Sequence, residues 1–191
     1  GSATIDDYVT AVATAAGTLG RPVEALCSRF GDPVAAASLA QAHDATLIDG
    51  RRVAVKVLRP GIERAFRKDI DAFYFAARSI EVLSPASRRL RPMDVITHFE
   101  GVVLGELDLR LECAAASEFA DTTKNDAGFQ VPVPVWDLSG RTVMTLDWAE
   151  GINLADNAAI DAAGLDRRAL GARLLQLVLA HALRDGRRPG D

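Results

Sequence analysis

Lys56 is the side chain whose position in the sequence most clearly suggests chemistry. It follows Asp49-Gly50, a dipeptide that predicts a tight type I′ hairpin turn between two strands. On the second strand, three valines alternate with Ala54, Lys56 and Leu58. This alternation puts Lys56 on the face opposite the valines. Because a lysine flanked by apolar neighbours on a strand face is costly when unpaired, we expect it to meet an anion.

A run of small residues before the hairpin is a candidate phosphate-binding loop. It lies in the predicted loop 32–38 and comprises Ala35, Ala36, Ala37 and Ser38. Successive backbone N–H groups in such a loop can face phosphate oxygens. The alanine Cβ disfavours positive φ, so the loop should be stiffer than a glycine-rich one. Taken alone, the run also fits a turn packed under a helix, and its position before Lys56 favours phosphate binding. Gln41 and His43 follow on the next strand and are assigned no chemistry.

Three carboxylates, Glu106, Asp108 and Glu112, fall in a segment that predicts one helix from Pro92 to about Phe119. The apolar stripe of this helix comprises Val95, Phe99, Val102, Leu109, Cys113, Ala116 and Ala120. At about 100° per residue the stripe passes through Glu106, whereas Asp108 and Glu112 share a neighbouring face. A carboxylate in an apolar stripe needs a partner or a proton. The alternative, in which all three lie on a solvated face, stays open.

The remaining patterns predict the elements around these residues. Alanine-rich and amphipathic stretches predict helices over 5–18, 20–30, 62–80 and 168–183, with Asp166 capping the last and a short helix within 153–166. Two more strands are predicted over 131–136 and 142–148. Pro132 and Pro134 each lack a backbone N–H, which suggests that the first of these is an edge or irregular strand.

Composition narrows the class of protein. The chain has 191 residues, 49% hydrophobic and 25% charged, with a net charge of −4, which does not suggest nucleic acid as a partner. Cys27 and Cys113 lack metal-ligand spacing and are interpreted as reduced thiols. The sequence has no apolar run of the roughly 18 residues that a membrane span needs. Gly1-Ser2 is interpreted as a tag-cleavage scar.

Two stretches together resemble one protein family. Ala-Ala-Ala-Ser-Leu-Ala-Gln-Ala-His, followed by Asp-Gly-Arg-Arg-Val-Ala-Val-Lys-Val-Leu-Arg-Pro-Gly-Ile, is similar to the UbiB family of atypical, protein-kinase-like ATPases of ubiquinone biosynthesis, relatives of the ADCK proteins. The resemblance runs from about Gly20 to Gly186. It implies an α+β fold, namely a protein-kinase-like small lobe (an antiparallel sheet with family-specific helices) plus the first helices of the large lobe.

The resemblance also implies roles for individual residues. Lys56 would hold the α and β phosphates of ATP or ADP, Glu112 would pair with Lys56, and the alanine-rich loop would cover the phosphates. Glu106 and Asp108 match the Glu-x-Asp motif of the family. Backbone groups near Asp147–Ala149 would bind adenine, with Met144 or Leu146 as a wall of the pocket.

Other family motifs have no match in this sequence. The Lys-x-Gly-Gln motif is absent, and no positions match the catalytic Asp or the metal-binding Asn and Asp, so neither a catalytic residue nor a metal ligand is assigned. Mg²⁺ is expected only in the parent protein. We therefore expect a truncated piece or remnant of an ATP-binding phosphoryl-transfer enzyme that supports ubiquinone biosynthesis, with weak nucleotide binding at most and no turnover.

The expected organisation is a helical segment over 3–31, a kinase-like small lobe over 32–150, and an incomplete large lobe over 151–191. The expected location is cytoplasmic, with the parent protein at a membrane through regions absent here. The rival hypothesis is a scaffold without a nucleotide role, which docks a partner or self-associates through bare apolar surface on the 168–183 helix.

Overall fold

The computed structural model describes residues 5–37 and 39–185. The chain forms two compact units, the first from Gly1–Ser117 with Pro132–Trp148 and the second from Glu118–Val131 with Ala149–Asp191. The first unit contains a four-stranded antiparallel sheet in the order β1-β2-β3-β4. Its strands are β1 Cys27–Ala36, β2 Ala40–Leu47, β3 Arg52–Leu58 and β4 Val143–Asp147. This mixed architecture confirms the predicted α+β class.

The helices of the described residues follow in chain order. They are α1 Ile5–Leu19, α2 Ile62–Leu83, α3 Pro92–Glu106, α4 Leu109–Thr123, α5 Asn157–Ala162 and α6 Arg167–Asp185. Short 3₁₀ turns occupy Val23–Ala25, Pro85–Leu90 and Trp136–Leu138. Among the helices of residues 5–37 and 39–185, none combines the length and apolar character that a bilayer span requires.

The two faces of the sheet build separate apolar clusters. The valines of β3 pack with Ala11 and Ala15 of α1 and with Leu47 of β2. On the Lys56 face, Leu58 and Met144 pack with Leu107 and Cys113 near the start of α4. The predicted strand alternation therefore separates the two faces correctly, and Lys56 lies at the edge of the second cluster.

The β2–β3 hairpin is present, but its turn is not of the predicted type. Leu47 N–H donates to Arg51 O at 2.8 Å, so three residues form the loop. Gly50 has φ of 87°, whereas Asp49 keeps a negative φ and therefore does not satisfy type I′. The Asp49 carboxylate instead accepts from the Arg51 N–H and from its guanidinium. This side-chain capture stabilises a three-residue loop with glycine in the left-handed position.

The predicted short helix over 20–30 and the predicted loop 32–38 are both wrong over most of their length. A single 3₁₀ turn follows Pro22, whose ψ of 142° is extended, and β1 then runs from Cys27 to Ala36. Its pairing with β2 is irregular, with register shifts on both sides of Pro33. Because β1 is an edge strand, it tolerates Pro33, and pairing with β2 outweighs the local helical preference.

The predicted helix from Pro92 to Phe119 is two helices, which break at Leu107-Asp108. Leu107 and Leu109 are both buried in the same cluster. On one continuous helix they would be about 200° apart and could not share a core. The break resolves this conflict, whereas Val95, Phe99 and Val102 of the predicted stripe are largely exposed.

Segment 131–136 is not a regular strand, whereas β4 confirms the core of the predicted strand 142–148. The segment runs beside β4 and makes an isolated bridge from Pro134 to Leu146. Val135 N–H donates to Thr145 O at 2.8 Å, and Asp147 N–H donates to Val133 O at 3.0 Å. The prolines at 132 and 134 have no N–H to donate, which explains why the pairing is incomplete.

The helices α2, α5 and α6 agree with the sequence patterns. Helix α2 buries Ile70 and Ala77, and Tyr74 Oη fastens it to α3 by donating to Glu100 at 2.8 Å. In the second unit, the Asp156 carboxylate caps α5. The Asp166 carboxylate accepts from the backbone N–H groups of the residues that begin α6.

Candidate functional site

An ion pair between Lys56 and Glu112 is the centre of the candidate site. Lys56 Nζ lies 2.6 Å from Glu112 Oε2 and 2.8 Å from Oε1. In the sheet, Lys56 stands between Ala42 of β2 and Met144 of β4. Its side chain is 33% exposed and that of Glu112 is 48% exposed. The lysine is therefore paired yet open to solvent, so a second anion can approach it.

The start of α4 explains how Glu112 reaches β3. Asp108 Oδ1 accepts from the Arg110 N–H at 3.1 Å, and Leu109 N–H donates to Arg141 O at 2.9 Å. Leu109 and Cys113 are buried one turn apart and anchor this helix against the Lys56 face. Glu112 lies between these two anchoring residues in the sequence, and its side chain extends to Lys56.

The other two carboxylates have different surroundings from those predicted. Glu106 is exposed at the end of α3, so its predicted place inside an apolar stripe is wrong. The break after it leaves Val103 and Leu107 facing the core instead. The Arg110 guanidinium binds Asp108 at 2.6 Å and lowers the pKa of that carboxyl below its usual value. The structure therefore brings one of the three carboxylates to Lys56.

The small-residue segment forms the connection from β1 to β2. Ala35 and Ala36 lie in the last part of β1 rather than in a loop, and Ala37 N–H donates to Ala40 O at 2.9 Å. The side chain of Arg59 reaches Ala37 O at 3.4 Å. Ser38, which was included in the predicted phosphate loop, lies outside the described residues. Ala35–Ala37 thus lie at the end of the β1–β2 hairpin, beside the start of β2.

The predicted adenine segment lies at the end of β4. Asp147 is the last residue of β4, and Ala149 is the first residue of the stretch 149–191 that belongs to the second unit. The N–H groups of Asp147 and Trp148 already donate to Val133 O and to Arg52 O, so neither can also donate to a base. Met144 is almost fully buried, whereas Leu146 is half-buried and the more open of the two predicted wall residues.

A charged cluster on the same sheet face was missed by the sequence reasoning. Asp44 of β2 is buried and accepts hydrogen bonds from the guanidinium groups of Arg52 and Arg29. The bond from Arg52 contributes most to lowering the pKa of Asp44. Arg52 also stacks on Trp148, with its guanidinium carbon 4.0 Å from the ring centroid. The sequence did contain a signal for this cluster, because Asp44 is a carboxylate on a face of β2 that is otherwise lined by small residues.

The buried His43 is held as part of the core. Its Nδ1–H donates to Gly31 O at 3.0 Å, and its ring lies 4.9 Å from that of Phe30. Burial lowers the pKa of His43, which favours the neutral ring. Both cysteines are free thiols, and burial raises the pKa of each. Within the described ranges, no three His, Cys, Asp or Glu side chains are grouped as metal ligands would be.

The antiparallel sheet carries Lys56 on its third strand, and a glutamate from a helix pairs with that lysine. This combination is characteristic of protein-kinase-like small lobes. The chain belongs to the ABC1 atypical kinase-like family, whose domain model matches residues 5–191. This match and the relatives below confirm the resemblance to the UbiB and ADCK proteins.

Curated relatives and one solved structure agree with this assignment. The chain is 36% identical over 169 residues to the probable protein kinase UbiB of Marinobacter nauticus, covering 88% of this chain and 31% of that protein. It is 38% identical over 173 residues to the probable protein kinase UbiB of Xanthomonas euvesicatoria pv. vesicatoria, covering 87% and 31%. The Mycobacterium tuberculosis protein Rv3197, solved as a complex with erythromycin, is similar with a TM-score of 0.65 and 32% identity, covering 78% of this chain and 37% of that one. The chain thus spans about a third of the length of these curated relatives.

Proposed function

We propose that this chain binds ATP or ADP through Lys56 and forms the nucleotide-holding part of an atypical kinase or ATPase. The ion pair between Lys56 and Glu112 carries the proposal. In protein kinases a strand lysine paired with a helix glutamate positions the phosphates of the nucleotide. The same residue types occupy the corresponding elements here, on a sheet face that stays partly open to solvent.

Membership of the family supports the further proposal that this nucleotide is used in ubiquinone biosynthesis at a membrane. ATP would supply a transferable phosphoryl group, to water or, as a second option, to a small or protein acceptor. Such transfer depends mainly on positioning and charge neutralisation. Lys56 would neutralise phosphate charge, Glu112 would keep the ammonium group oriented, and the hairpin end at Ala35–Ala37 would approach the phosphates.

Mg²⁺ is assigned to no residue of this chain. The described residues hold no cluster of His, Cys, Asp or Glu that suits the ion, and the 191 residues have no match to the family's metal-binding Asn and Asp or its catalytic Asp. We therefore expect nucleotide binding without turnover from these 191 residues. ATP hydrolysis by the purified chain that disappears in Lys56→Ala would contradict this expectation.

The test is a calorimetric titration of ATP and of ADP into the chain, with and without Mg²⁺. Lys56→Ala should abolish saturable binding, because it removes the cation that meets the phosphates. Lys68→Ala is the matched control, since Lys68 is an exposed lysine of α2. If Lys56→Ala still binds nucleotide, the binding site does not include Lys56. If the unsubstituted chain does not bind nucleotide, the proposal is refuted.

A second candidate function is self-association or docking without a nucleotide role. Four leucines of α6 are 47–86% exposed and favour it, namely Leu174, Leu175, Leu179 and Leu183. Exposed apolar surface of this kind is typical of an interaction site. Light scattering at several protein concentrations tests it. A monomer at every concentration would exclude self-association, whereas a dimer lost on Leu179→Glu would support it.

A further inference from the structure

The buried carboxylate of Asp44 lies on the same sheet face as Lys56 and has no part in the proposed phosphate site. Arg52 Nε donates to Asp44 Oδ1 at 3.0 Å and Arg52 Nη2 donates to Oδ2 at 3.2 Å. Arg29 Nη1 adds a third bond to Oδ2 at 2.9 Å. Burial of a carboxylate is costly unless it is fully paired, and apolar side chains would satisfy packing alone. The pairing therefore suggests a role that needs fixed geometry.

That geometry is passed to Trp148 through Arg52. The guanidinium carbon of Arg52 lies 4.0 Å from the Trp148 ring centroid, a distance typical of a cation–π contact. The backbone of Arg52 holds the same residue, because its carbonyl accepts the Trp148 N–H at 3.2 Å. Arg52 thus fixes both the ring and the backbone of Trp148, the last residue of the first unit.

Arg52 and Lys56 mark two ends of one strand face. They are four residues apart on β3, which corresponds to about 13 Å at roughly 3.3 Å per residue. The register pairs Lys56 with Met144 and places Trp148 opposite Arg52, on the same side of the sheet. One end of this face presents the ammonium group proposed to bind phosphate, and the other presents the end of β4.

We propose that Asp44 and Arg52 are positioning residues for the nucleoside end of the bound nucleotide and act by holding Trp148 in place. This inference rests on the proposed nucleotide function. Asp44 orients Arg52 and Arg52 clamps Trp148, so the indole ring is fixed at the end of β4. Because the N–H groups of Asp147 and Trp148 are already engaged, the base would contact the Trp148 side chain rather than those donors. The array contributes to recognition of the base and leaves phosphate binding to Lys56.

The test compares ligands with and without a base. Calorimetry with ATP, ADP and inorganic tripolyphosphate is applied to the chain and to Arg52→Gln. We expect the Kd of ATP and ADP to rise about fivefold to tenfold, because Trp148 would have to be ordered on binding without the cation–π contact that holds it. The Kd of tripolyphosphate should not change. Lys56→Ala should weaken all three ligands.

Arg29→Gln is the matched control, because Arg29 binds the same carboxylate whereas the guanidinium that stacks on Trp148 is that of Arg52. It should leave the Kd of ATP within about twofold. Trp148→Phe keeps an aromatic face and should retain most of the affinity for ATP, whereas Trp148→Ala should reproduce Arg52→Gln. Should Arg52→Gln fail to fold, Trp148→Ala carries the same test.

The outcomes separate this inference from the proposed function. Unchanged ATP affinity in both Arg52→Gln and Trp148→Ala would overturn the inference and leave the Lys56 site intact. The same holds if these variants weaken tripolyphosphate as much as ATP, or if the unsubstituted chain binds tripolyphosphate as tightly as ATP. A chain that binds none of the three ligands would overturn both.

Discussion

The Lys56–Glu112 pair should matter for ligand binding far more than for folding. The two side chains are 33% and 48% exposed, so water screens the attraction between them. Pairs of this kind contribute about 0.2–1 kcal/mol to stability in double-mutant cycles. We therefore expect a coupling free energy within that range for Lys56→Met combined with Glu112→Gln, and a smaller value near 1 M salt.

The assay is urea unfolding of the four proteins of this cycle, followed by tryptophan fluorescence. Both tryptophans of the chain, Trp136 and Trp148, belong to the first unit, so the signal reports the unit that contains the pair. Calorimetry with ADP on the same four proteins supplies the functional comparison. Lys56→Met should lose ADP binding while the unfolding free energy changes by about 1 kcal/mol or less.

Two results would refute this reasoning. A coupling free energy above about 2 kcal/mol would show that the pair holds α4 to the sheet as a structural element. Retention of ADP binding in Lys56→Met would show that the ammonium group does not meet the phosphates. Lys68→Met, on the exposed side of α2, controls for the loss of a positive charge.

Three further predictions concern packing and acid stability. Leu107→Ala should lower the unfolding free energy in urea by about 2–5 kcal/mol, because Leu107 is almost fully buried at the helix break. Gly31→Ala should lower the unfolding free energy by about 1–3 kcal/mol, since a Cβ there would lie 2.8 Å from a backbone oxygen of β2. Its control is Gly101→Ala, whose Cβ would meet open space and which should stabilise α3. Asp126→Asn should remove an acid-dependent loss of stability: the Arg184 guanidinium lowers the folded-state pKa of Asp126 from 3.8 to about 2, so its stabilisation is present above pH 3.8 and is lost as the pH falls towards 2.

Each of these has its own check. Leu111→Ala, 60% exposed on α4, should change stability by less than about 0.5 kcal/mol, and an equal loss in both leucine variants would contradict the packing argument. If Gly31→Ala is as stable as the unsubstituted chain, β1 and β2 can move apart enough to accept the added Cβ at no cost. For Asp126→Asn, circular-dichroism melts from pH 7 to pH 2 provide the comparison. If the variant and the unsubstituted chain lose stability in parallel as the pH falls, the carboxylate that binds His181 and Arg184 is not the cause of the loss.

Local patterns in the sequence were sufficient for the elements that carry their own signal. The valine alternation of β3 places Lys56 on its face, and the four-residue spacing of α2 predicts the helix that buries Ile70 and Ala77. Asp166 predicts the start of α6 because a carboxylate that caps a helix acts within its own turn. These inferences succeed because periodicity and capping depend on neighbours in the chain.

The tertiary structure decided what depends on distant partners. The sequence alone favoured a helix around Cys27, yet pairing with β2 makes this segment a strand. Periodicity put Glu106 in an apolar stripe, yet packing against β3 and β4 breaks the helix so that Leu107 and Leu109 can share one core. The Asp44–Arg52–Trp148 array joins three strands or strand ends, and no local pattern encodes it. Free energy from burial and ion pairing between remote segments outweighs local propensity at these places, and the short-range pattern therefore fails where the site is assembled.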